Sequence, residues 1–446
     1  MTATAVAERP RTLGQDMHAL IAELYPICRS ITGDGFRETL RRIQDEIPLT
    51  LHEVPSGTAV FDWTVPKEWN IRDAYIKNSR GERVVDFQRS NLHVVNYSVP
   101  VSRRLSLAEL TPHLYTLPDH PDWIPYRTSY YAENWGFCLT HRQFLALEDE
   151  EYEVCIDATL ADGHLTYGEY AIPGESADEI LISCHCCHPS LANDNLSGMA
   201  VAVSLAQELR RQARRCSYRF LFIPGTIGSI TWLALNRTRV PFIRHGLVLS
   251  CLGDRGAPTY KRSRRGDALV DRAAAHVLSH GDGPYKLLDF VPYGYDERQY
   301  CSPGFNLAVG CFTRTPNGQY PEYHSSADNL AFVTPESLAD SYARCLEILD
   351  ILEHDARYVN MNPMCEPHLG KRGLYTAVGG GQLPGYELAL LWVLNLSDGT
   401  HSLLDIAERA GIDFDVTRRA AESLLACGLL ARGDAPRPLV RTETSR

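Results

Sequence analysis

The chain has 446 residues, more than one ordinary core accommodates, so two or three domains are expected. Hydrophobic residues make up 44% and charged residues 22%, the balance of a soluble globular protein. A formal net charge of -11 excludes nucleic-acid binding driven by bulk electrostatics.

The first residues, MTATAVAERPRTLGQ, contain no apolar h-region, so no signal peptide is expected. The longest apolar run, LALLWVLNL at 388–396, is too short to cross a bilayer, and no membrane partner is expected. Thirteen cysteines without a secretory context read as reduced thiols of a cytoplasmic protein, mostly small buried hydrophobes.

Along the chain, Met17, Leu20, Ile21 and Leu24, then Phe36, Leu40 and Ile43, recur at helical spacing on either side of the turn TGDG. Two amphipathic helices therefore open the first domain. From about residue 60 the texture changes to Trp, Tyr, Pro and His with short strand-like runs, which predicts a small β-rich insertion over 60–153. EILISC (179–184), YRFLFI (218–223), LVLSCL (247–252) and NLAVGCF (306–312) then alternate with helical patterns. Apolar runs of strand length separated by helices predict an α/β domain with a mostly parallel sheet flanked by helices. PESLADSYARCLEILDILEHD closes it as a long helix with Pro335 in the first turn. The catalytic-type domain is thus discontinuous, at 10–59 and 154–365. VGGGQLPG (378–385) reads as a linker. Three short helical patterns and a possible β-wing follow, the layout of a winged helix-turn-helix over 378–446. Its third helix offers Arg418 and Arg419, but Asp413, Asp415 and Glu422 flank them, so no nucleic-acid partner is expected and a packing role is.

The densest chemistry lies in SCHCCHPSLANDNLSG (183–198). His185 directly follows a predicted strand, His188 and Asp194 lie in the loop after it, and Gly198 opens the next helix. In open α/β sheets, sites sit at the carboxyl ends of strands, and imidazole with carboxylate suits a zinc that keeps an open position. Three other readings compete. A closed structural zinc site lacks a partner motif elsewhere. Cys184 and Cys187 have redox C-x-x-C spacing, although strand burial should hide Cys184. Plain core packing also accommodates His and Cys. A second constellation, QYPEYHSSADN (319–329), follows another strand and offers Glu322, Tyr323, His324 and Asp328. His324 can meet Asp194 across the sheet edge, and Asp328 is placed to accept the second N–H of His324.

In their order, ILISCHCCH, ANDNLSG, FIPGTIGS and PEYHSSADN resemble the co-catalytic zinc aminopeptidase superfamily. More closely they resemble an aminopeptidase-like subfamily with an inserted small domain and a C-terminal winged helix. The resemblance covers nearly the whole chain. It implies that His185 binds metal, that Asp194 bridges two zincs, and that His324 binds the second. The departures are specific. Gly225 and Thr226 stand where the family has its Glu-Glu pair of base and ligand, and Ser250 stands where it has an aspartate ligand. Asp254 would substitute only if its loop folds back. His188 resembles an additional ligand in the subfamily's C-H-P motif. The remaining set, His188, His185, Asp194 and His324, supports one Zn2+ better than two.

A hydrolytic site also needs a base. GYDERQYCSPG (294–304) resembles a subfamily feature and supplies Glu297 as the substitute base. Asp296 is an alternative base, or binds a substrate α-amine. Tyr323 joins these two as a catalytic candidate, while Glu322 and Arg298 are candidates for substrate binding. The basic run YKRSRRG (260–266) is a solvated loop, or places one of its arginines on a substrate carboxylate or phosphate near the metal. The expected activity is zinc-dependent removal of an aminoacyl group from a small-molecule or short peptide-like biosynthetic substrate, by a homo-oligomeric enzyme. The competing expectation is a non-catalytic zinc-binding scaffold with a degenerate aminopeptidase fold, favoured by the loss of the glutamate at Gly225.

Overall fold

The computed structural model describes residues 12–374 and 385–433. The predicted linker therefore falls outside the described residues except for Gly385, as does the wing beyond residue 433. The chain divides into two compact units, one built from residues up to 271 with 283–346, the other from 272–282 with residues from 347 onward.

The first unit is organised around an eight-stranded sheet in the order Thr50–Pro55, His164–Ile172, Ser217–Ile223, Glu179–His185, Ile243–Leu249, Val309–Thr313, Thr259–Lys261, Lys286–Leu288. The four central strands are mutually parallel; two contain the runs 179–184 and 218–223, and the other two overlap the runs 247–252 and 306–312 only at 247–249 and 309–312. Antiparallel neighbours flank them on both sides. Every residue of Glu179–His185 is buried, which explains its unbroken apolar texture. Helix Gly198–Leu209, rich in Ala and Val and almost wholly buried, packs on these strands. The two N-terminal helices, Leu13–Leu24 and Asp34–Glu46, pack against it with Met17, Ile21, Leu24, Phe36, Leu40 and Ile43 buried. The first begins at a capping box in which Thr12 and Gln15 satisfy each other's backbone N–H.

The β-rich segment forms a four-stranded antiparallel sheet, Arg83–Asp86, Glu68–Lys77, Glu151–Ala161, Val101–Ser106, together with a small hairpin, Ala59–Val60 with Trp63–Thr64. It lies within the first compact unit. No linker marks its end. Glu151–Ala161 runs on beyond residue 153, and a two-residue turn leads straight into His164–Ile172 of the large sheet.

In the second unit, helices Gly385–Leu396, Leu403–Ala410 and Phe414–Ala426 accompany a three-stranded sheet, Asp398–Ser402, Arg357–Asn360, Leu430–Arg432. Its central strand, 357–360, comes from before the linker, in a stretch the sequence pattern had placed at the end of the catalytic domain. Four residues ahead of a long loop carry no strand periodicity to read. On the third helix Arg418 is bracketed by Asp415 and Glu422 at 2.5 and 2.6 Å, and Arg419 lies over the ring of Tyr386. No described helix is long and apolar enough to cross a membrane.

A buried ion network clamps the large sheet. Arg219, 3% exposed, donates from Nε and Nη2 to both oxygens of Glu179 at 2.6 and 2.7 Å and also pairs with Glu169, which accepts from Trp232 Nε1 at 2.9 Å. Removing the guanidinium would leave buried carboxylates without their main partner. Arg219→Ala is therefore expected to cost about 3–5 kcal/mol, read as a lower midpoint in denaturant titration.

Candidate metal centre

The chemistry-bearing side chains gather at the carboxyl ends of the central parallel strands. His185 is the last residue of its strand, and the chain then turns through Ala192–Ser197 before helix Gly198–Leu209. Two asparagines tie this turn to the neighbouring strand ends. Asn195 donates to the carbonyls of His185 and Leu249 at 3.2 and 2.9 Å and accepts from the N–H groups of Gly198 and Cys251. Asn193 donates to Asp254 at 3.0 Å and accepts from Gly253 N at 2.8 Å. Asp194, held between them, points into the site and is fully buried.

Its carboxylate is the hub. Oδ1 meets His185 Nε2 at 2.8 Å. Oδ2 meets His324 Nε2 at 3.1 Å, accepts from the Tyr295 hydroxyl at 2.8 Å, and lies 3.8 Å from His188 Nε2. Tyr323 bonds Tyr295 hydroxyl to hydroxyl at 2.8 Å and stacks on His324, ring centroids 3.9 Å apart. Tyr295 stacks on His185 at 4.1 Å, and Tyr126 packs against both His188 and His324 at 5.1 and 5.0 Å.

Electrostatics fit a metal. Burial lowers the His188 imidazole to about 3, so the ring is neutral, the ligating form. Burial opposes ionisation of Asp194, but the bonds from His185 and His324 outweigh it and hold the carboxyl well below its ordinary range. No lysine or arginine pairs with Asp194 among the described residues. A buried carboxylate ringed by imidazoles, with no fixed cation of its own, is a donor set for a divalent ion. Ligand atoms of His185, His188 and Asp194 lie within 4.8 Å of one another. His324 reaches the group through the second oxygen of Asp194.

The thiol alternatives lose support. All thirteen cysteines are free, and burial pushes the Cys186 and Cys187 thiols up, so neither is a thiolate. Two further expectations are corrected. Asp328 does not orient His324. Its two oxygens accept from the backbone N–H groups of Asn193 and Asp194 at 2.6 and 3.0 Å, fixing the loop that presents the hub carboxylate. Asp254 is not a substitute ligand, because its oxygens are taken by Asn193, Gly256 N and the N–H and hydroxyl of Thr315.

The Asp296-Glu297 pair divides. Asp296 Oδ1 accepts from Thr226 N at 2.8 Å and Ser229 Oγ at 2.7 Å, while Oδ2 is buried with no hydrogen-bond partner. A carboxylate from a distant loop thus docks on the backbone of Thr226, in the place where the resemblance expects a glutamate side chain. Burial pushes Asp296 up, and His185 partly opposes this. Glu297 instead ion-pairs with Lys261 of the basic run. Gly294, at φ +144°, allows that pair, since a Cβ there would lie 2.2 Å from Glu297 Oε1. Arg298 has a buried Nε without a partner. Glu322 contributes its backbone carbonyl to Ser325 N and Oγ, and its carboxylate takes no part in the bonds around Asp194.

Tyr295 and Arg29 escape the sequence reading. Tyr295 sits beside Asp296 in GYDERQY, and that adjacency was the available signal. Arg29 had none. It is fully buried, donates from Nε to the carbonyl of His188 at 3.0 Å and from Nη1 to Leu24 O at 2.6 Å, and keeps Nη2 unpartnered. Burial lowers its guanidinium to about 10, still charged at neutral pH. Arg29 pins the backbone of a candidate ligand, so Arg29→Met is expected to weaken zinc affinity by about 10–100-fold, with Arg29→Lys in between. Competition with a chromophoric chelator measures this, and far-ultraviolet circular dichroism checks that the fold persists.

Comparisons with known proteins bear on the family and the fold. A family model described as a domain of unknown function (DUF4910) matches residues 18–355, and one described as a winged helix-turn-helix matches 356–432. A protein of Clostridium acetobutylicum, provisionally described as a polysaccharide biosynthesis protein with an aminopeptidase-like domain, is 53% identical over 94% of this chain and 96% of its own. A crystal structure from the same organism, provisionally described as a peptidase, superposes with TM-score 0.90 at 52% identity, covering 94% of this chain and 96% of that one. A zinc aminopeptidase of Bacillus subtilis superposes with TM-score 0.56 at 12% identity over 76% of this chain and 95% of its own, a likeness of fold.

Proposed function

We propose a function from the premise that the chain belongs to the family of the domain of unknown function DUF4910 and has a zinc-aminopeptidase-type fold. It is a zinc-dependent amide hydrolase that removes an aminoacyl group from a small biosynthetic substrate. The observation that carries this is the buried Asp194 carboxylate shared among His185, His188 and His324 at the carboxyl ends of the parallel strands. The name of the Clostridium acetobutylicum relative supports a substrate from polysaccharide biosynthesis.

His188, His324 and Asp194 would hold one zinc, with His185 fixing the other oxygen of Asp194. When bound, zinc supplies Lewis acidity to an amide carbonyl and to a water molecule. The chain's own residues do the rest. Asp296 takes the proton of the attacking water at its free Oδ2, a role that suits a carboxyl raised above its ordinary range. Glu297, neutralised by Lys261, positions that loop. The Tyr323 hydroxyl donates to Tyr295, whose own proton goes to Asp194, and so keeps its oxygen to accept from a substrate donor. The single-zinc reading is supported by Ser250 and Thr226 at two carboxylate positions and by the engagement of Asp254 elsewhere. The free thiols fit a cytoplasmic enzyme, and the paired Arg418 fits a winged helix that does not bind nucleic acid.

A second reading, a metal-binding scaffold without catalysis, draws on Gly225, which has no side chain where the superfamily base stands. Two measurements separate them. Elemental analysis of protein purified without added metal is expected to give about one zinc per chain, and two at full occupancy would refute the single-site account. In a panel of aminoacyl anilides and aminoacylated amino sugars, chelator-sensitive release of the amino acid is expected. Asp296→Asn should slow it by about two to four powers of ten, with zinc retained. Glu297→Gln should have the smaller effect. Full zinc content with no turnover on any member would favour the scaffold.

A further inference from the structure

The hairpin Ala59–Val60/Trp63–Thr64 is built in a costly way. Its turn places Phe61 at φ +58°, a conformation that suits Gly or Asn and strains a bulky aromatic. Buried Val60 anchors the hairpin beside helix Ile227–Leu235, whereas Phe61 and Trp63 are 52% and 45% exposed. Strain at a surface turn together with two exposed aromatic rings points to a ligand contact.

The two rings lead in two directions. Trp63 meets Tyr131 edge-on at 5.2 Å, and Tyr131 is itself 56% exposed. The helix beside which Val60 packs begins just after Thr226, whose N–H is bonded to Asp296 of the proposed catalytic centre. Phe61 meets Phe305 edge-on at 5.8 Å. Phe305 lines a cavity of about 380 Å³ whose wall also includes Arg237, Arg244 and Arg265. Two of these arginines are oriented through Nε, Arg265 by the carbonyl of Asn306 at 2.9 Å and Arg244 by Asp178 at 2.7 Å, which leaves their terminal nitrogens for a ligand. Asp178 offsets one charge of the three. The hairpin therefore joins the mouth of the catalytic centre to a basic cavity by an aromatic track.

We propose that this track binds a phosphate-bearing sugar, with the saccharide ring lying on the exposed faces of Trp63 and Phe61 and the phosphate in the cavity with Arg237, Arg244 and Arg265. Aromatic faces take the apolar C–H side of a ring, and arginine forks take phosphate oxygens in pairs. The inference rests on the aminoacyl-hydrolase reading for what lies at the Asp296 end. The phosphate cavity stands apart from it, because all four residues named in its wall lie outside the catalytic set.

Binding of glucosamine 1-phosphate, glucosamine and inorganic phosphate to the full chain, measured by calorimetry at two salt concentrations, tests it without requiring turnover. The phosphorylated sugar is expected to bind at least about ten-fold more tightly than glucosamine, with an advantage that shrinks at high salt. The double variant Arg237→Ala with Arg265→Ala should erase that advantage and leave glucosamine binding unchanged. Phe61→Asn, which relaxes the turn, and Trp63→Leu, which keeps apolar bulk, should each weaken both sugars and spare inorganic phosphate. Equal binding of the two sugars, or an advantage that survives the double arginine variant, would overturn the proposal. Chelator-sensitive anilide hydrolysis alongside equal binding of the two sugars would sink the track alone, and absent hydrolysis alongside arginine-dependent sugar-phosphate binding would sink the catalytic reading alone.

Discussion

One buried negative charge organises the cluster at the carboxyl ends of the central strands. The Asp194 carboxylate is removed from water without an arginine or lysine to neutralise it. An ion so placed is stable only if its surroundings supply positive charge and several hydrogen bonds. The fold supplies those bonds from His185, His324 and Tyr295, and braces the surrounding loop through further residues. Asp328 and Asn193 hold the loop, Asn195 ties it to two strand ends, Tyr295 donates to the carboxylate, and Arg29 fixes the backbone of His188. The positive charge is the part that a divalent ion would bring.

The same constraint accounts for what differs from the zinc aminopeptidases. Where their Glu-Glu pair is expected, Gly225 has no side chain and sits in contact range of His185 and Cys187, and Thr226 offers only its backbone. Asp296 enters from another loop and docks on that backbone. Its companion Glu297 cannot also serve, because Lys261 holds it. Two acidic side chains adjacent in sequence thus meet opposite environments, one left with a free oxygen and one neutralised. Environments that separate paired carboxylates are how one is kept for proton transfer.

The four central strands and the two N-terminal helices were legible because each buries a continuous apolar run or face, and burial on that scale overrides local ambiguity. The strand 357–360 was not, since four residues paired between distant segments leave no period to detect. In the site, His185, His188, Asp194 and His324 were legible by residue type and by position after predicted strands. The roles of the surrounding carboxylates were not. Asp328, Asp254, Asp296 and Glu297 each had chemistry suited to several tasks, and only the backbone N–H or cation facing each one settles which it performs. Arg29 illustrates the limit most sharply. Its contact with His188 spans 159 residues, and an arginine near a helix end reads as solvated until its burial is known.

The position of Arg29 also bears on how many cations the site can take. Its charge is buried behind His188, close enough to oppose protonation of that ring. A fixed cation there disfavours any further positive charge nearby, by the same Coulomb term that would favour the first ion at Asp194. A second divalent ion would have to approach with two superfamily carboxylates absent and this guanidinium present. The missing ligands and the buried arginine are the two features that support the proposed single-ion reading. In that reading, Asp296 with its free oxygen would be the remaining acid-base group.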